Sequence, residues 1–400
     1  MNSPLALQHE PIESCRRPCD AHVVLLTNFI PPHALPVYTA LAERVRKLTV
    51  LISTPMESNR QWLPEWGTLD VRVQRTLTVQ RPWKHRVGFR DKLSVHIPWN
   101  TIGLLRKLRP DVVISGEMGA RSLLSACYAA LTPSTRLIVY ATLSEHTEQS
   151  RGWLRYLLRR VLARHVHTFA ANGASGTRYL TRTLGVDPSR ICHVPYTIVP
   201  DLFDRGSVSR PSRLAHRLVF AGQFIERKGL LPFVEALALW AADHPDRMVE
   251  FDLIGSGPLQ AKLEATSRPA NLRLRFLGQC EYGELPARYQ EAGIFVFPTL
   301  ADEWGMVVNE ALSAGLPVLG SLYSQAVEEL CLEGETGWRF RPDRPREIYD
   351  AIERALDTPA ERLEQMRRRG RQCVERLTPE YVADAFLAAI QTSLPTQDVV

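Results

Sequence analysis

Asp302-Glu-Trp-Gly-Met-Val-Val-Asn-Glu310-Ala-Leu-Ser-Ala-Gly-Leu-Pro-Val318 follows one short apolar run, Ile294-Phe-Val-Phe-Pro-Thr299, and ends within another, Pro317-Val-Leu-Gly320. Each run has the length and the β-branched or aromatic content of a buried strand. Between them the residues read as a loop with a glycine at 305, then a short helix ending at Gly315. Two carboxylates, Asp302 and Glu310, stand eight positions apart, one in the loop and one in the helix. Gly305 lets a ligand come close to the backbone. The amides of the first turn, from Gly305 through Met306 to Val307, point at whatever binds there. A helix start of this kind binds an anion such as a diphosphate. Glu310 follows one turn later on the face of Met306, within reach of hydroxyls beside that anion.

Outward from this stretch, short apolar runs alternate with helical patterns. In the second half the strand candidates are Leu218-Val-Phe-Ala221, Val249-Glu-Phe-Asp-Leu-Ile254, Leu272-Arg-Leu-Arg-Phe276, 294–299 and 317–319, with helices expected at 229–243, 258–267, 284–292 and 306–314. In the first half they are Val23-Val-Leu-Leu-Thr27, Leu48-Thr-Val-Leu-Ile52, Asp111-Val-Val-Ile-Ser115, Arg136-Leu-Ile-Val-Tyr140 and His167-Thr-Phe-Ala-Ala171, with helices at 35–46, 99–108, 119–131 and 151–164. Buried strands alternating with helices mean a parallel sheet covered on both faces. The rhythm falters at 197–216, which carries prolines, serines and mixed charge and reads as a linker. The expected organisation is a flexible extension at 1–20, one α/β domain at 21–196, the linker, and a second at 217–377. An amphipathic helix follows in 378–400. Two doubly wound domains of this kind hold a ligand outside the carboxyl ends of their strands, in a cleft between them.

The opening stretch resembles the E-x7-E signature of retaining glycosyltransferases of the GT-B fold, the family called GT4, most closely at Trp-Gly-Met-Val-Val-Asn-Glu-Ala (304–311). Asp302 takes the first carboxylate position, normally glutamate, and Glu310 matches the second. The resemblance implies that Asp302 meets donor-sugar hydroxyls and that Glu310 holds the nucleotide ribose. Phe220-Ala-Gly-Gln-Phe-Ile-Glu-Arg-Lys-Gly229 is similar to the family's G-R-L-x-x-x-K-G, whose Arg and Lys neutralise the donor diphosphate. Gly222, Lys228 and Gly229 match, Gln223 replaces the arginine, and Arg227 precedes the lysine. Leu253-Ile-Gly-Ser-Gly-Pro258, with Gly255, resembles the family's G-x-G-P turn. Phe276-Leu-Gly-Gln-Cys280, with Gly278 and Gln279, occupies the place where the family reads the nucleobase through main-chain atoms. The resemblance also implies that the final helix returns to the first domain.

The first half offers fewer signals. Asn28 ends the first strand and faces the expected cleft. Glu117, in Gly116-Glu-Met-Gly119, suits either a helix dipole or an acceptor hydroxyl. His146, in Thr142-Leu-Ser-Glu-His146, is the sugar-contact candidate of this half. Arg151, Arg155, Arg159, Arg160 and Arg164 form a basic helical stripe beside Trp153, Leu154, Leu157 and Leu158, suited to solvent or to phosphate-bearing lipid.

The chain has 400 residues and a net charge of +6. That charge admits nucleic acid, anionic lipid or nucleotide phosphate as partners, but no nucleic-acid-binding module is visible. The seven cysteines (Cys15, Cys19, Cys127, Cys192, Cys280, Cys331 and Cys373) have no metal-ligand spacing, which suggests reduced thiols in a cytosol. The N-terminus lacks the pattern of a secretory signal, and no apolar run is long enough to span a bilayer.

Together with the GT4 resemblance, these features lead us to expect a transferase that moves a sugar from a UDP- or GDP-sugar to a hydroxyl acceptor without metal or other cofactor, and the resemblance implies retention of configuration. The acceptor is expected to be a glycan or lipid-linked saccharide of cell-surface polysaccharide, and the location cytoplasmic, touching the inner face of a membrane. Another GT-B enzyme, such as an epimerase or a phosphorylase, and a nucleotide-sugar-binding regulator without catalysis are the alternatives. Gln223 and Asp302 are the departures from the family pattern that leave them open.

Overall fold

A computed structural model describes residues 18–56, 65–198, 202–203 and 206–395. Most of the expected extension at 1–20, Cys15 included, lies outside the described residues, as do parts of the 197–216 linker and the last residues of 378–400. The chain divides into two compact units. Of the described residues, one unit comprises those of 18–83, 92–197 and 377–395; the other comprises those of 84–91 and 198–376.

The first unit is built on a seven-stranded sheet. Its strands are β1 (Cys19–Thr27), β2 (Val45–Ile52), β3 (Asp70–Val73), β6 (Val112–Gly116), β7 (Arg136–Ala141), β8 (Thr168–Ala171) and β9 (Ile191–His193), in the order β3-β2-β1-β6-β7-β8-β9. Every pairing is parallel. Strands β4 (Thr76–Lys84) and β5 (Arg90–Pro98) form a separate two-stranded sheet. The side-chain alternation of β1 shows why the sheet is covered twice. Val23 and Leu25 enter a core with Val37 and Leu41 of helix α1 (Ala34–Ala42) and with Phe386 and Leu387 of the final long helix, Pro379–Ser393. Val24 and Leu26 face the opposite way, into a core with Leu105 of α2 (Thr101–Leu108), Ala126 and Ala129 of α3 (Ala120–Leu131) and Leu162 of α4 (Trp153–His165).

The second unit carries a six-stranded parallel sheet in the order β12-β11-β10-β13-β14-β15. The strands are β10 (Leu218–Ala221), β11 (Val249–Ile254), β12 (Leu272–Gly278), β13 (Ile294–Phe297), β14 (Val318–Ser321) and β15 (Gly337–Phe340). Its long helices are α5 (Leu230–Asp243), α6 (Met306–Ser313), α7 (Pro345–Leu356) and α8 (Ala360–Glu375). An aromatic core fills it, with Phe220, Phe224, Phe233, Phe251, Trp240 and Phe340 buried together. Both folds are Rossmann-like α/β architectures. In each, strand order reverses beside the first strand, between β1 and β6 and between β10 and β13, so the loops after those strand pairs emerge side by side.

Several expected boundaries shift for physical reasons. The 35–46 helix ends at Ala42, because Val45 already pairs with Cys19 as the start of β2. Strand β13 stops at Phe297, before Pro298, which has no amide to give the ladder. Strands β3, β4, β5, β9 and β15 and helices α7 and α8 went unassigned. The β4–β5 ribbon leaves its side chains exposed or half-buried apart from Trp83 and Pro98, so it lacks an apolar run. Within α4 the basic stripe is broken. Arg159 is buried and pairs with Glu148 at 2.5 Å, while Arg155 reaches the same carboxylate at 3.4 Å. The six cysteines among the described residues are free thiols.

Candidate active site

The strand-order reversal of the second unit brings together the loops after β10 and β13. Lys228, in a single 3-10 turn after β10, donates to Asp302, in the loop after β13, at 2.7 Å. The Arg227 guanidinium lies 3.6 Å from the same carboxylate and 2.8 Å from Asp91. Burial alone would push the Asp302 carboxyl up, but the Lys228 ammonium and the Arg227 guanidinium outweigh it and hold it below the usual carboxylate range. The Lys228 ammonium also stands 5.1 Å from the centre of the Phe297 ring. Two motifs 74 residues apart in sequence thus form one ionic cluster, a contact that neither motif announces alone.

The Asp302–Gly305 loop is pinned from the far side. Ser324 donates to the Trp304 carbonyl, the Ala326 amide donates to it at 3.0 Å, and Gln325 donates to the Glu303 carbonyl at 2.6 Å. The Trp304 indole donates to Asn309 at 2.9 Å, tying the loop to the helix it opens. Gly305, the N-cap of α6, has φ 105°, and a Cβ there would lie 2.6 Å from Phe297 Cε1. Only glycine fits that combination. Met306 and Val307 begin the helix, so their amides have no partner one turn back. These amides and Lys228 form a site suited to an anion.

Glu310 sits on the second turn of α6 and is 7% exposed. The Tyr282 hydroxyl donates to its Oε1 at 3.0 Å, while Oε2 is buried with no hydrogen-bond partner. Burial pushes the Glu310 carboxyl up to about 7, against a smaller downward pull from the Tyr282 hydrogen bond. The tyrosine is pushed well above its ordinary range by burial first and the Glu310 charge second. A half-satisfied buried carboxylate is costly and is the kind of group that a ligand hydroxyl completes. Tyr282 was missed in the sequence. It lies 28 residues from Glu310, and only the fold joins them.

The remaining donor-side candidates line the same edge of the sheet. Gly222 follows β10, and its amide donates to the Ile254 carbonyl at 3.0 Å. Gln223 is exposed. Gly255 follows β11 so closely against Gly222 that a Cβ on Gly255 would lie 2.0 Å from the Gly222 oxygen. Gly278 ends β12 and accepts from the Gly255 amide at 2.7 Å, and Gln279 donates to Ser256 at 2.6 Å.

The reversal point of the first unit has its own pair. Asn28, after β1, donates to Glu117, after β6, at 2.8 Å. Glu117 has φ 64°, the left-handed region that a non-glycine residue rarely occupies. Its carboxylate therefore meets Asn28 rather than serving the start of α3, which is capped by Gly119. Beneath the pair lies Arg121, 4% exposed, which donates to Asn28 Oδ1, to Ser53 at 3.0 Å and to the Gly116 carbonyl at 3.1 Å. Burial lowers the Arg121 pKa, with Glu117 opposing the shift. Arg121 was also missed, since a single arginine in a first helical turn carries no motif. His146 lies elsewhere, half-buried in the turn after β7.

Residues 215–358 match the model of the family Glycosyl transferases group 1. Over 310 residues the chain is 24% identical to glycogen synthase of Mycobacterium tuberculosis, covering 72% of this chain and 71% of that protein. It is 27% identical to 2-deoxystreptamine glucosyltransferase of Streptomyces kanamyceticus over 314 residues, 74% of this chain and 73% of that one. In fold it resembles Anabaena HepE, solved in complex with UDP-glucose, with TM-score 0.64 and 13% identity, over 94% of this chain and 100% of that one. The matched model and these relatives support a glycosyltransferase, and the shared architecture is that of the GT-B fold. Among the described residues, no helix is long and apolar enough to cross a membrane.

Proposed function

We propose that the protein transfers a hexosyl group from a nucleoside-diphosphate sugar, a UDP- or GDP-sugar, to a hydroxyl of a glycan or lipid-linked saccharide in cell-surface polysaccharide synthesis. The observation that carries this reading is the joint placement of Lys228, the α6 N-terminus and the half-satisfied Glu310 on one unit. In the reaction, the bond from the anomeric carbon to the diphosphate oxygen breaks. A bond from that carbon to the acceptor oxygen forms, and the acceptor's proton is released. Negative charge grows on the departing diphosphate, where Lys228 and the amides of Met306 and Val307 stabilise it. Glu310 Oε2 accepts from a ribose hydroxyl. Asp302, freed in part from Lys228 when the lysine turns to phosphate, accepts from the sugar. Gly222, Gln223, Arg227, Gly255, Gly278 and Gln279 complete the donor side, and Asn28, Glu117 and His146 the acceptor side. Retention of configuration rests on the GT4 resemblance alone, and independence from metal rests on the lysine and helix terminus already matching the leaving group.

The test is calorimetric titration with UDP, GDP and ADP, followed by hydrolysis and transfer assays with the corresponding sugars. One nucleoside diphosphate is expected to bind, and Glu310→Ala to weaken it by roughly 1.5–3 kcal/mol. Unchanged binding by the variant would remove Glu310 from the site, and no binding by the wild type would end the transferase reading.

A further inference from the structure

Helix α4 of the first unit exposes an unusual amount of apolar surface. Trp153 is 76% exposed, Leu154 55%, Leu157 46%, Leu158 43% and Val161 44%. With 3.6 residues per turn, 153, 157 and 161 form one row and 154 and 158 the next, so the five share a single face. The opposite face holds Arg159, Leu162 and Ala163, all buried. A contiguous apolar ridge of this kind marks a contact surface.

The charge beside the ridge says what the surface fits. Helix α4 contains no acidic residue. Its inward arginine, Arg159, is spent on Glu148, and Arg155 shares that carboxylate. Arg160 and Arg164, both exposed, form the row flanking the ridge. Next to the helix start, the Arg151 guanidinium lies 3.7 Å above the Trp83 ring. A second copy of the chain packed through this face about a two-fold axis would set arginines against arginines. An anionic bilayer instead takes the leucines and tryptophan into its interface and the guanidinium groups among its phosphates.

We infer that the exposed face of α4 docks the protein on an anionic lipid surface, with Trp153, Leu154, Leu157, Leu158 and Val161 inserted and Arg160 and Arg164 at the headgroups. This deepens the proposed function and rests on it only for its purpose, access to a lipid-linked acceptor.

The test uses the full-length chain and flotation on phosphatidylcholine vesicles with and without phosphatidylglycerol, at low and high salt. Wild type is expected to float with the anionic vesicles at low salt and to be released as salt screens the arginines. Arg160→Ser with Arg164→Ser is expected to lower partition about five-fold per arginine, roughly 25-fold together. Leu157→Gln with Leu158→Gln is expected to abolish flotation even though the arginines remain. All these positions are exposed, and thermal melts of the variants check that the fold is kept. Failure of the wild type to float at low salt overturns the inference, as does equal flotation by both variants. A wild-type dimer that Leu157→Gln with Leu158→Gln dissociates, with no flotation, would make the occupant a second copy and also overturn it. Nucleotide titration of the same samples keeps the two readings apart: flotation without nucleotide binding fails the proposed function alone, and binding without flotation fails this inference alone.

Discussion

Each unit presents one side-chain pair where its strand order reverses, and the two pairs differ in chemistry. In the second unit the pair is ionic, Lys228 on Asp302, flanked by Arg227 and a helix N-terminus. In the first it is an amide on a carboxylate, Asn28 on Glu117, with a buried arginine underneath. The same topology therefore supports two kinds of recognition. A lysine ammonium beside the amides of a helix start suits a diphosphate whose charge grows during reaction. A hydrogen-bonded pair held on strained backbone suits neutral hydroxyls.

The sharpest way to break this contrast is to remove the cation. Lys228→Ala is expected to lower kcat about 10²–10³-fold, the scale of losing one preorganised charge-stabilising donor. Arg227→Ala is expected to cost less, because Arg227 is partly committed to Asp91. Steady-state kinetics at saturating donor checks both, and equal rates for wild type and Lys228→Ala would abolish the distinction between the two pairs.

Glu310 tests whether the second unit trades stability for binding. Its folded-state pKa is raised from 4.5 to about 7, so between those values the folded chain binds more protons than the unfolded one. Stability thus falls as pH rises through that window and stays lower above it. Glu310→Gln is expected to raise stability above pH 7 by roughly 3 kcal/mol at most, to leave it unchanged below about pH 4.5, and to weaken nucleotide binding. Urea melts across pH, paired with calorimetry, read both effects. A variant with unchanged stability at pH 8 would mean that the carboxylate is comfortably solvated.

Arg121 provides the counterpart in the first unit. Arg121→Met leaves Asn28, Ser53 and the Gly116 carbonyl short of a donor and is expected to cost about 2 kcal/mol of stability. Nucleotide affinity should be unchanged, because the partners of Arg121, namely Asn28, Ser53 and the Gly116 carbonyl, all belong to the first unit. A large loss of nucleotide affinity would show that the two pairs are not separate in function. The smallest effect is expected from chelation. EDTA should leave transfer rates unchanged, and a loss restored by Mg²⁺ would mean that Lys228 and the helix terminus do not suffice for the leaving group.

How much of this was legible in sequence follows from how local each feature is. The strand–loop–helix run from 294 to 320 was readable because an apolar run, a glycine, a helix start and two carboxylates fall within one stretch of chain. Lys228 and Gly229 were singled out by the resemblance of 222–229 to the family's G-R-L-x-x-x-K-G, supported by their place beside glycines after a strand. The β4–β5 ribbon was not, because exposed strands carry no burial pattern. Tyr282 and Arg121 were not, because each acts on a partner that is distant in sequence.

By itself, then, the sequence determined two doubly wound α/β halves and the positions of Lys228, Asp302, Gly305 and Glu310, since periodicity, glycine and helix-start chemistry are encoded within a few residues. Only the tertiary structure decided that Lys228 meets Asp302, that Glu310 is half-satisfied by Tyr282, that Arg121 underlies Asn28, and that Arg159 turns inward while its helix bares an apolar ridge. Those are long-range contacts and burials, set by which strands lie side by side, and no short stretch of chain contains that information.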